Sequence, residues 1–273
     1  MDPCRPSARP PSAKRRLQGA ASVLPATVSP DIERLAAAVP RRIRLGTSSW
    51  SFPGWNGLVW DGVYTEPVLA KSGLAAYARH PGLRAVSLDR TFYRPMSASQ
   101  YAAYAAQVPD DFRFVVKAPS LITDAVIRSE SGRGSQANPA FLDPALAVAE
   151  FVEPALQGLG HHIGALVFQL SPLPAPFLQN LPDLWARMAA MLAVLPSLHT
   201  AAPDAVVLVE DGVTPPDGRR LLPALLAEAA GDWLSFEFTE TTLTERDAPA
   251  AELWAALRAA GLRLVLDDFG TGR

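Results

Sequence analysis

The residues best equipped for chemistry recur where short apolar runs end. The first run closes on Thr47, Ser48, Ser49 and Trp50, the second on Asp89, Arg90, Thr91, Tyr93 and Arg94, the third on Lys117 and the fourth on Gln169. The fifth delivers Glu210 and Asp211, the sixth Glu237 and Glu240, and the seventh Asp267 and Asp268. Carboxylates brought to one place repel one another and stay ionised only beside a divalent cation or basic partners. Mg2+ or Mn2+ suits such a set, and an ion held there could polarise a phosphoryl oxygen and lower the pKa of a bound water. Asp211 and Glu240 read equally well as ordinary loop acids, whereas Glu237, Asp267 and Asp268 are flanked by apolar strand residues, where an acid more often has a task.

Lys117 follows the apolar run of FRFVVKAP. Its ammonium could hold a phosphate or another acid, or pair with Asp89, and the sequence favours neither. Trp50, Trp55, Trp60 and Phe52 could floor a sugar or base site, but large aromatic side chains more often pack as core. The histidines, His80, His161, His162 and His199, stand at no predicted strand end and show no HxxxH spacing, so neither a histidine-built zinc site nor a Ser-His-Asp triad is expected.

The elements that must position these residues alternate between β-branched or aromatic runs and longer Ala/Leu-rich stretches, the pattern of consecutive βα units. Strands are predicted over 43–49, 85–91, 113–118, 165–170, 205–210, 234–240 and 262–268. Helices are predicted over 69–80, 97–107 with Ser97 as N-cap, 141–156, 177–195, 221–229 and 248–260, the last capped by Asp247 and ended by Gly261. ALVFQL and LRLVLDD are continuous apolar runs, as in strands covered on both faces. No GxGxxG follows the first strand, and polar residues follow every strand, so a TIM-type (β/α) barrel is expected over a doubly wound sheet. Such a barrel uses eight strands and seven are recognisable, so an incomplete barrel is expected, open to self-association or closure by a partner chain. Residues 127–138 and 210–220 read as polar, Gly- or Pro-rich loops, the first of them mobile.

Apolar residues make up 49% of the 273 and charged ones 19%, ample material for a core. The net charge of −2 is unevenly spread: nine Lys/Arg oppose three Asp/Glu in residues 1–44, giving +6 there and −8 beyond. Residues 1–42 are Pro-, Ser- and Ala-rich and read as a basic, mostly disordered extension. Its Lys14, Arg15 and Arg16 form too short a cluster to assign to nucleic acid or lipid, and nucleic acid is not an expected partner. There is no secretory apolar stretch and no run of about 18 apolar residues to cross a membrane, so a soluble, cytoplasmic protein is expected. Cys4 alone excludes internal disulfides and cysteine-rich metal cages.

Four segments, GTSSWSFPGW (46–55), SLDRTFYR (87–94), VPDDFRFVVKAP (108–119) and GALVFQLSPLP (164–174), together resemble the YecE-like family, a domain of unknown function, over residues 43–200. The resemblance implies a TIM-type barrel and a pocket, with the family's pocket motifs falling on Ser48, Trp50, Asp89, Thr91, Tyr93, Arg94, Lys117 and Gln169. Beyond residue 200 the pattern departs, since VVLVEDGVTPP keeps Glu210 but lacks the Arg-His pair that follows it in the family. Residues 220–272, with EFTE and DDFGTG, instead resemble the middle of an EAL domain, the barrel of bacterial cyclic-di-GMP phosphodiesterases. That resemblance implies metal binding by Glu237 and Asp267, with Asp268 the catalytic acid serving a second metal and its water. The Glu-Ala-Leu triplet and the metal-binding Asn of the following strand are absent, as are the catalytic Lys and further acids. The expected function is therefore a barrel with a polar mouth for a small anionic or phosphate-containing ligand or a metal ion. A metal-dependent phosphodiester hydrolase, a degenerate cyclic-di-GMP module, and a barrel closed by a partner are the alternatives. Were it an enzyme, Asp268 and Lys117 would carry the catalysis.

Overall fold

A computed structural model of the chain describes residues 22–128, 134–171, 173–198, 200–211, 234–239 and 263–267. All seven predicted strands are present in one sheet. In chain order they are β1 (Gly46–Thr47), β2 (Ala85–Leu88), β3 (Arg113–Lys117), β6 (Ile163–Leu170), β7 (Val206–Asp211), β8 (Leu234–Thr239) and β9 (Arg263–Asp267), and they lie side by side in that order. Every neighbouring pair is parallel. Two further strands, β4 (Val126–Arg128) and β5 (Gly134–Ala137), form a separate antiparallel pair. This corrects the expectation of a loop over 127–138, whose turn-rich sequence hides the short pairing on either side of it.

Strand alternation divides the sheet into two faces. Val86, Leu88, Phe114, Val116, Leu166, Phe168 and Val209 enter the main core, where Leu69, Tyr77, Tyr101, Phe151 and Ala155 of the helical layer meet them. Val115, Ala165, Val167, Val206 and Leu208 form a smaller apolar cluster on the other face. Ser87, Lys117 and Gln169 alternate with the core residues of their own strands. At Gly164 the register slips: Phe114 pairs with Ile163 but Val115 with Ala165, leaving Gly164 as an extra residue in β6. A side chain there would crowd Cβ of Arg113 at 3.0 Å, so glycine suits the bulge.

Among the described residues the predicted helices lie where the sequence places them, with ends shifted by a few residues, and break where its imino acids and glycines dictate. Ser97 caps the helix Ala98–Ala105 through a full capping box with Gln100. The predicted helix over 69–80 is two pieces, Glu66–Ser72 and Leu74–Tyr77, with the break at Gly73. The one predicted over 141–156 starts at Pro144 behind the N-cap Asp143 and runs to Leu159, with a π turn over Val148–Val152. Pro154 sits just past that turn, and a proline that cannot donate to the carbonyl four residues back explains the wider turn. Gly158 lets this helix press against Ala98–Ala105, since a Cβ there would collide with the Ala98 carbonyl and with Tyr101.

Within residues 22–42, expected to be mostly disordered, the structure shows ordered segments. Val23 and Ala26 are buried, Pro25 bridges Trp60, and Ser29 caps a helix over Pro30–Ala38. The apolar spacing of ERLAAAV was concealed by the surrounding prolines and arginines. Residues 1–21, with Cys4, Lys14, Arg15 and Arg16, lie outside the described residues, as do His199, Glu240, Asp268, the loop from 212 onward and the predicted helices over 221–229 and 248–260. Among the described residues no helix is long and apolar enough to cross a membrane.

Candidate functional site

The carboxyl ends of β2, β3 and β6 bring three of the predicted residues together. In β3 the side chain of Lys117 follows the face of Val115, not that of the buried Val116, and so leaves the core. Its Nζ donates to Oε1 of Gln169 at 3.0 Å across 52 residues of sequence. Asp89 Oδ1 lies 4.0 Å from the same ammonium, an ion pair too long for a hydrogen bond. Ser87 Oγ donates to that Asp89 oxygen at 2.5 Å, which orients the carboxylate and shares its charge. Both readings of Lys117 thus meet in one geometry: it faces Asp89, and its nearer partner is a neutral amide.

Thr91 plays a different part. It is fully buried, and its hydroxyl reaches the carbonyl oxygens of Leu88 (2.5 Å) and Lys117 (2.6 Å), tying the ends of β2 and β3 together. Asp124, buried beyond β3, accepts from Ser171 Oγ just past β6, and Asn138 Nδ2 donates to the Asp124 carbonyl at 2.7 Å. Sequence reasoning overlooked Ser87, Asp124 and Ser171. Ser87 was detectable as the residue two before Asp89 on the same face, but Asp124, inside LITDAVI, carries no strand-end signal.

Other predicted residues lie apart. Ser48 is exposed, while Trp50 is buried with its ring edge-on to Tyr104 at 5.5 Å and its Nε1 without a hydrogen-bond partner. Trp60 is fully buried and donates from Nε1 to the Phe52 carbonyl at 3.0 Å, so Trp50 and Trp60 pack as core, while Trp55 is half-buried and Phe52 exposed. Tyr93 and Arg94 line a groove of about 890 Å³ with Lys71, Arg90, Gln100 and Tyr104. Arg90 Nη1 donates to the Tyr104 hydroxyl at 2.6 Å, and none of the described residues lining the groove is acidic. For the later acids the backbone register is defined: Gln169 pairs with Glu210, Glu210 with Glu237, and Thr239 with Asp267.

The histidines depart from expectation. His161 and His162 stand directly before β6, at its amino end, and His162 is buried. A search of carboxyl ends alone passes over them.

Fold and site together define a parallel α/β protein with Asp89, Lys117 and Gln169 meeting at the carboxyl edge of its sheet. Residues 44–271 match the family described as "Protein of unknown function DUF72", and the chain belongs to that family. The matched range includes residues 200–220 and the segment that resembles an EAL domain. Similar solved structures include a DUF72 family protein from Enterococcus faecalis V583, 15% identical, with a TM-score of 0.44 over 82% of this chain and 88% of that one. Another, from Thermotoga maritima MSB8, is 15% identical, with a TM-score of 0.42 over 81% and 89% of the two chains. No curated protein matches the chain.

Proposed function

We propose that the protein binds a small anionic ligand of the phosphate class at the carboxyl mouth of a TIM-type barrel wall, with Lys117 as its cationic anchor. The observation that carries this reading is the ammonium of Lys117, 3.0 Å from the neutral Gln169 amide and 4.0 Å from Asp89. An ammonium has three donors, and among the described residues Gln169 alone accepts from it within hydrogen-bond distance. An incoming oxyanion would satisfy the remaining donors, with Asp89 and Ser87 setting where it sits. The barrel reading rests on seven parallel strands in sequence order, as in folds whose ligands enter at the carboxyl face.

Register also supports a divalent ion, Mg2+ or Mn2+, beside that ligand, since Glu210 and Glu237 occupy neighbouring rungs next to Gln169. The EAL resemblance would make such an ion hydrolytic. Two-metal hydrolysis needs both ions about 3.5–4 Å apart around the attacking water. Glu237, Asp267 and Asp268 supply part of that cage without the Glu-Ala-Leu acid or the Asn, so we expect no turnover of cyclic-di-GMP.

Isothermal titration with inorganic phosphate, cyclic-di-GMP and Mn2+ tests the reading. Phosphate binding that weakens in a folded Lys117→Ala variant supports it. Unchanged binding would overturn it, and loss of the folded state would show Lys117 to be a structural ion-pair residue. Turnover of cyclic-di-GMP that vanishes in Asp267→Asn would replace it with the hydrolase reading.

A further inference from the structure

At the amino end of the sheet, away from the proposed mouth, two imidazoles and a carboxylate meet. Among the described residues, Asp110, His161 and His162 are the group of His, Cys, Asp or Glu side chains whose candidate ligand atoms all lie within 4.8 Å of one another. We infer that these three residues bind a zinc-class divalent ion, clamping the segment that enters β3 to the turn that enters β6.

The buried member is already set for the task. His162 Nδ1 lies 3.0 Å from the Phe112 carbonyl, so in the neutral ring Nδ1 carries the proton and donates, and the Nε2 lone pair is left for a metal. A backbone carbonyl holding the second ring nitrogen is the usual support of a metal-bound histidine.

The acidic member is held from behind. Arg113 Nη1 donates to the carbonyls of Asp110 (2.7 Å) and Phe112 (3.0 Å), fixing the backbone that carries Asp110 and the carbonyl that orients His162. Asp110 Oδ1 is 4.0 Å from His161 Nε2, and the two imidazole centroids are 4.1 Å apart. Tetrahedral zinc with bonds of about 2.0–2.2 Å places its ligand atoms roughly 3.3–3.6 Å apart. Closing that difference takes rotamer changes in Asp110 and His161, whose side chains are 102% and 53% exposed. The Arg113 charge opposes a cation, but Asp204 Oδ2 lies 3.6 Å from its Nη2 and offsets it, and with Arg44, Arg84 and Asp111 close by the surroundings are balanced, so the ion's charge is met by Asp110 itself. Imidazole with carboxylate selects zinc and its neighbours over Mg2+. Because the amino face of such a sheet contributes stability and not chemistry, the ion would act as a clamp.

The test uses the full chain, stripped with a chelator and titrated with ZnCl2, with Co2+ absorption reporting the ligand geometry. We expect a single ion per chain, tetrahedral Co2+ bands and an unfolding temperature that rises with free zinc. Asp110→Asn and His161→Ala alter exposed positions and should fold as the parent does, yet each should weaken zinc binding by about 10-fold or more. His162→Gln should abolish it, but as that residue is buried the exposed pair decides. Absence of zinc binding, or binding unchanged in both exposed variants, would overturn the inference. Lys117→Ala should leave the zinc isotherm unchanged, which separates this site from the mouth.

Discussion

The hydroxyl of Thr91 and the carbonyl oxygen of Lys117 are 2.6 Å apart, so a fully buried side chain in the helical turn that follows β2 holds the backbone of the residue that carries the mouth's ammonium. Thr91→Val keeps the shape but removes the donor from two carbonyls. We expect it to destabilise the protein by about 1–2 kcal/mol in urea unfolding, with Thr91→Ser closer to the parent. Equal stability of the valine variant would show that the bond contributes nothing.

Lys117→Ala and Arg94→Ala distinguish the mouth from the basic groove. One charge-assisted hydrogen bond is worth about 1.5–3 kcal/mol, so phosphate affinity should fall at least about 10-fold in the first variant. In the second it should stay within about 2-fold, because Arg94 lines the groove of Lys71, Arg90 and Tyr104. The reverse order of effects would move the ligand to the groove.

Gly158→Ala pits two magnitudes against each other. Alanine favours a helix over glycine by about 1 kcal/mol, yet the added methyl meets the Ala98 carbonyl and Tyr101 Cβ. Overpacking of that kind costs about 1–3 kcal/mol, and backbone atoms yield little, so a net loss of stability is expected on thermal unfolding.

His80 gives stability a pH dependence. Burial lowers its pKa below the usual 6.5, and its Nδ1 accepts from the Gly82 N–H at 3.2 Å, a bond that protonation of that nitrogen removes. The unfolded chain therefore binds the proton more readily. The contribution is present above pH 6.5 and is lost as pH falls through the folded value. His80→Gln should flatten the decline of the unfolding temperature below pH 6.5, and the His80 ring protons should titrate below those of an exposed histidine.

The sheet was legible because its strands are written as short apolar or β-branched runs between longer helical stretches, and the seven runs read from sequence are the seven parallel strands. The first is the exception in length: read over 43–49, it spans Gly46–Thr47, and Ile43 and Leu45 are exposed. Apolar character there misled because the strand lies at one end of the sheet, with a single neighbour. Of the site, Asp89, Lys117 and Gln169 were legible from position alone. Their differing roles were not, since whether a polar residue faces a ligand, staples two strands like Thr91 or packs like Trp50 depends on partners far away in sequence. His161 and His162 were missed because attention to strand exits neglects what precedes a strand.

The additional residue at Gly164 sets the phase of everything after it in β6. Before it, Ile163 shares the core face with Phe114, and after it, Ala165 and Val167 share the opposite face with Val115 and Lys117. Had Gly164 taken an ordinary rung in place of bulging out, alternation would have carried Leu166, Phe168 and Leu170 onto the side of Lys117 and sent Gln169 among the helices. The bulge, five residues upstream, thus decides whether the ammonium meets an amide or a phenyl ring: drawing residue 164 into the ladder would keep the strand while inverting the chemistry of its mouth, whereas deleting it would leave Gln169 where it is.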